Sequence, residues 1–101
     1  MEKIYKVLIY PSAKQDLLDI IEYLNTLSPE TALRYYDLII ERIEDLSKMP
    51  MRFPIPKDMV LAAKGYRCLI VKNYLVFYVI SGSTVQIRRI IFNRRNYEGL
   101  L

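Results

Sequence analysis

The side chains able to do chemistry gather toward the end of the chain. Arg67 stands early in a strand-like run, and Arg88 and Arg89 stand side by side in another. Arg94, Arg95 and Tyr97 follow directly after that second run. A guanidinium stays charged at any working pH and presents a planar fork of donors, which suits bidentate contact with phosphate. A tyrosine hydroxyl beside arginines is drawn toward phenolate and can assist proton transfer; its ring can also stack on a base. Lys64, Arg67, Arg88, Arg89, Arg94 and Arg95 are therefore the candidate nucleic-acid-binding set. The plainer reading makes Arg88 and Arg89 strand-edge charges and packs Tyr97 against the C-terminus.

Other chemistries find little to work with. The chain has no histidine and one cysteine, so Ser-His and Cys-His pairs are absent and a disulfide within the chain cannot form. A zinc site would have to be built from carboxylates alone, and neither a metal nor a cofactor is expected. Ser81-Gly82-Ser83 is too short for a phosphate-cradling loop and reads as a hairpin turn. Cys68, in mid-strand, reads as a small buried apolar residue. Asp16, Asp19, Glu22, Asp37, Glu41, Glu44 and Asp45 recur at helical spacing on polar faces and read as solvated.

Charge is divided unevenly along the 101 residues. Residues 1–50 carry six Lys/Arg against nine Asp/Glu, and residues 51–101 carry nine against two. Clustered positive charge concentrates polyanions, so the second half is expected to meet phosphate or an acidic protein. A chain of this length has room for one hydrophobic core, and residues 1–101 are read as a single domain. The longest apolar run, Tyr74 to Ile80, falls far short of the roughly 20 residues a membrane helix needs. The start, Met1-Glu2-Lys3-Ile4-Tyr5-Lys6, has no secretory pattern. No membrane association and a cytoplasmic location are expected.

The elements that position these residues can be read from periodicity. Ile4 to Tyr10 predicts a strand. Ser12 and Gln15 have the spacing of a reciprocal capping box, and Ala13, Leu17, Ile20, Ile21, Leu24 and Leu27 form the apolar stripe of the helix that follows. Ser28 and Pro29 start a second helix, with Ala32, Tyr35, Tyr36, Ile39, Ile43 and Leu46 as its stripe and Pro50 as its stop. So short a connection predicts an antiparallel helical hairpin. Pro50, Pro54 and Pro56 favour an extended path over residues 51–64. Three strands then follow, with turns at Lys72-Asn73 and Ser81-Gly82-Ser83. In the last of them Val85 and Ile87 alternate, and Ile90 and Phe92 resume on the opposite parity, which predicts a β-bulge near Arg88-Arg89. The fold class is α+β in the order β-α-α-β-β-β, a helical hairpin packed on one face of a largely antiparallel four-stranded sheet.

The order of these segments resembles a known family. Tyr10-Pro11-Ser12-Ala13 with Asp16-Leu17, Ser28-Pro29-Glu30-Thr31-Ala32 and Leu46-Ser47-Lys48-Met49-Pro50 come first. Gly65-Tyr66-Arg67, Asn73-Tyr74-Leu75-Val76-Phe77-Tyr78 and the run from Ile87 to Tyr97 complete the series. Together they resemble the RelE/ParE superfamily of toxins from bacterial type II toxin–antitoxin systems. The resemblance implies the same fold, a cognate antitoxin that wraps and neutralises the protein in a hetero-oligomer, and one of two targets. One branch cleaves mRNA on the ribosome; the other poisons DNA gyrase by binding. The ribonuclease pattern maps onto Arg67, Arg94, Arg95 and Tyr97 as catalytic candidates. Leu75 stands where many ribonucleases carry an arginine, and Asn96 where some carry a histidine. Losing a phosphate-stabilising charge and an acid/base group costs orders of magnitude in rate. The expectation is a ribosome-dependent mRNA endonuclease or a degenerate relative of one, with gyrase inhibition as the alternative and a non-toxic RNA-binding module as a third reading.

Overall fold

The computed structural model describes residues 3–93, so Arg94, Arg95, Asn96 and Tyr97 lie outside the described residues. The chain runs β1 (Lys6–Ile9), α1 (Pro11–Leu27), α2 (Pro29–Glu44), 3₁₀ turns at Asp45–Ser47 and Pro50–Arg52, and α3 (Met59–Ala63). It ends with β2 (Tyr66–Val71), β3 (Tyr74–Ser81) and β4 (Thr84–Phe92). The sheet order is β1-β4-β3-β2, with β1 parallel to β4 and the other pairs antiparallel. The α+β layout is the one the sequence predicts. Among the described residues, no helix is long and apolar enough to cross a membrane.

Local chemistry sets the helix ends. Proline's fixed φ suits the first helical position, so α1 begins at Pro11 with Tyr10 as its N-cap. Ser12 therefore lies inside the helix and the expected capping box does not form; Gln15 donates instead to Asp19 at 2.8 Å. Ser28 separates α1 from α2 and caps both: its N–H donates to the Leu24 carbonyl, and its hydroxyl accepts from the Thr31 N–H at 3.3 Å. Helix α2 ends at Glu44, ahead of Pro50, and the following 3₁₀ turn still buries Leu46.

The hairpin buries Ala13, Leu17, Ile39 and Ile43 against Leu69, Val76, Tyr78, Val85, Ile87 and Ile90 of the sheet. Leu27, read as part of the α1 stripe, is the last residue of that helix and is largely exposed, as is Tyr36 to a lesser degree. The opposite sheet face carries a smaller cluster of Leu61, Tyr66, Leu75, Phe77 and Ile91. Leu61 comes from α3, which interrupts the stretch expected to be extended. Asp58 starts this helix by accepting from the Val60 and Leu61 N–H groups at 2.8 and 3.0 Å. With both faces covered, β3 is buried from Tyr74 to Tyr78, which is why its sequence shows an apolar run and no alternation.

The bulge falls where the parity slip places it. Tyr78 faces Ile87 while Phe77 faces Arg89, leaving Arg88 as the extra residue. Ile90 then returns to the helix-covered side.

Candidate anion-binding face

The bulge distributes two adjacent arginines to different tasks. Arg88 lies over the Tyr10 ring, 4.6 Å from its centroid, and its Nε and Nη2 donate to Gln86 Oε1 at 3.2 and 2.7 Å. Arg89 turns to α1, where Nε and Nη2 donate to the two oxygens of Asp16 at 2.7 and 2.8 Å. The same carboxylate accepts the Ile90 N–H at 2.9 Å. Asp16 is thus not a solvated helix-face acid; its carboxylate joins α1 to the bulge. It raises the Arg89 pKa by accepting a hydrogen bond from the guanidinium.

Arg67, the candidate on β2, is engaged elsewhere. Its Nη1 donates to the Met51 and Phe53 carbonyls at 3.1 and 2.8 Å. The Cys68 N–H donates to the Pro54 carbonyl at 3.1 Å, and the buried Tyr78 hydroxyl donates to the Pro50 carbonyl at 2.5 Å. These bonds hold residues 50–54 as a strap along the outer edge of β2. Arg67→Ala is expected to lower unfolding free energy by about 1 kcal/mol and to speed hydrogen exchange at the Cys68 amide. Hydrogen-exchange mass spectrometry on the variant checks this; unchanged exchange would remove Arg67 from the strap.

Lys64 is exposed at the C-terminal cap of α3. The described candidates therefore do not share one set of partners: Arg67 serves the strap, Arg89 serves α1, and Arg88 shares the open β1–β4 face with Tyr10 and Gln86. Tyr10 and Tyr78 are members of this arrangement that sequence reasoning did not assign, and Asp16 is one that it read as solvated. No group of His, Cys, Asp and Glu suited to a metal occurs among the described residues. Burial pushes the Cys68 thiol up to about 11. Alkylation at pH 8 should accordingly be slow in the folded protein and fast after denaturation, because the thiolate is the reactive form. Rapid alkylation of the native protein would contradict this.

Comparison with known proteins places the chain in context. The family model described as the ParE toxin of the type II toxin–antitoxin system parDE matches residues 7–97. A chain of the chromosomal ParDE toxin–antitoxin system from P. aeruginosa is 22% identical, with a TM-score of 0.76 over 89% of this chain and 97% of that one. That likeness is one of fold. A chain of the RelBE2 toxin–antitoxin complex from Mycobacterium tuberculosis is 26% identical, with a TM-score of 0.61 over 91% of this chain and 97% of that one. No curated protein matches significantly.

Proposed function

We propose that this chain, which belongs to the ParE toxin family of type II toxin–antitoxin systems, arrests growth in the cytoplasm by binding DNA gyrase and is neutralised by a cognate antitoxin. One observation carries the choice of gyrase over mRNA. The sheet arginines are engaged with the protein's own groups: Arg67 with the strap, Arg89 with Asp16, and Arg88 with Tyr10 and Gln86. A phosphoryl-transfer site needs preorganised donors aimed at the charge that develops on one phosphate. Leu75, where many ribonuclease relatives carry an arginine, is 7% exposed and packs with Phe77 and Ile91. In this chain that position serves packing. The ribonuclease reading rests chiefly on Arg94, Arg95 and Tyr97.

Inducing the protein without its antitoxin tests the reading. The expected order is a DNA-damage response and filamentous cells while amino-acid incorporation continues. An immediate halt in translation with cut mRNA would overturn it in favour of the nuclease.

A further inference from the structure

Beyond the Ile9–Ile87 pair, β4 runs on without β1 beside it, and α1 takes the vacated place. Asp16 meets β4 there by accepting the Ile90 N–H. The same helix face continues through Asp19, Ile20 and Tyr23, three, four and seven residues further on. These stand over the end of the sheet, where Tyr74 and Phe92 pair. Among the described residues, these five side chains line a cavity of about 360 Å³ between α1 and the sheet. That volume is on the scale of small-ligand sites.

The lining is aromatic and acidic. Tyr74 and Phe92 form two adjacent walls, with ring centroids 5.7 Å apart and planes tilted by 57°. Tyr35 packs edge-to-face against Tyr74 at 6.1 Å and steadies that ring. Tyr74 is buried, while Phe92 and Tyr23 are exposed, so the walls lead from the core to solvent. Burial raises the Tyr74 pKa, and Tyr35 and Tyr23 add to the rise, so this ring stays a neutral phenol. Asp19 is the one charged residue in the lining. Its Oδ1 accepts from Gln15 Nε2 at 2.8 Å, which leaves the second oxygen to a ligand. The nearest described guanidinium on this face, Arg89, is committed to Asp16.

We propose that this cavity binds a small N-methylated ammonium compound, held by the rings of Tyr23, Tyr74 and Phe92 and by the charge of Asp19. Aromatic rings attract cations through their negative faces, and a carboxylate adds charge of the same sign. The lining also selects among cations. A primary ammonium brings three N–H donors and a guanidinium five. Asp19 cannot satisfy so many, and donors left against Ile20 and the rings would be costly. N-methyl groups carry no donors and suit an apolar wall. The inference goes beyond the gyrase reading and does not depend on it.

The test titrates the full ¹⁵N-labelled chain with choline at constant ionic strength, and in parallel with its uncharged carbon isostere, 3,3-dimethylbutan-1-ol. Choline should shift the Ile20, Tyr23, Tyr74 and Phe92 amides saturably, with a Kd on the order of 1 mM. The alcohol should bind about tenfold more weakly. Because Tyr23 is exposed, Tyr23→Ala should leave the rest of the spectrum in place and weaken choline about fivefold. Tyr23→Phe keeps the ring and should keep the affinity. Asp19→Asn retains an oxygen for Gln15 and should weaken choline about threefold. Equal affinity for the alcohol would reduce the site to an apolar cleft and overturn the proposal. So would shifts confined to residues away from the cavity, or tighter binding of a trimethyllysine pentapeptide, which would mark a protein-docking site. The same amides shifting on concentrating the protein alone would assign the cavity to a second copy. Their shifting without choline in the Arg94→Gln, Arg95→Gln double variant would assign it to the chain's own arginines, and either result would overturn the proposal too.

Discussion

Asp16→Ala is expected to lower the free energy of unfolding by about 3 kcal/mol, the largest loss from any single polar contact in the fold. The Asp16 side chain is 12% exposed and that of Arg89 20%, so water replaces little of what the substitution removes. The truncation would remove one acceptor from two groups at once. Beyond the Ile9–Ile87 pair β1 turns into α1, and the Ile90 N–H meets Asp16 where a strand would otherwise stand. Without the carboxylate, the Arg89 charge and the Ile90 donor both lose this acceptor. Asp16→Asn keeps one acceptor oxygen and should fall between wild type and alanine. Denaturant unfolding of both variants, with Arg89→Ala closing a double-mutant cycle, measures the coupling. A loss under about 0.5 kcal/mol for Asp16→Ala, the range of an ordinary surface change, would mean that the bulge stands without it.

Tyr78→Phe is the second large effect, at about 2 kcal/mol. Tyr78 is fully buried, and its hydroxyl is the donor to the buried Pro50 carbonyl. Removing it leaves that acceptor without the bond while the ring still fills its place. The same residue gives the protein an alkaline signature. Burial pushes the Tyr78 hydroxyl up to about 12, with Arg67 and Arg52 pulling it part of the way back. A group whose folded pKa exceeds its unfolded value, ordinarily about 10, stabilises fully below that value. Its contribution is lost as pH rises from about 10 to about 12. Wild-type stability should therefore fall across this window more steeply than that of Tyr78→Phe. Parallel curves would show that the phenol titrates as freely in the fold as out of it.

Features carried by neighbouring residues were legible in the sequence. The parity change from Val85 and Ile87 to Ile90 and Phe92 located the bulge, because side-chain period is a local property of a strand. Ser28 before Pro29 located the break between the helices for the same kind of reason. Features made by distant partners were not legible. Asp16 flanks the α1 stripe as an ordinary surface acid would, and its partner Arg89 lies 73 residues away. Arg67 read as a phosphate ligand because the carbonyls of Met51 and Phe53, which it holds, leave no trace in side-chain pattern. Helix α3 has five residues, Met59–Ala63, too few to show a period.

These contacts underlie the proposal made above, that the described arginines brace the sheet and the protein acts by binding. The most direct measurement adds the purified protein to gyrase, ATP and relaxed plasmid, and in parallel to ribosomes programmed with mRNA. Supercoiling should be blocked or the plasmid left cleaved, while the mRNA stays whole. Cut mRNA beside a fully active gyrase would contradict the account.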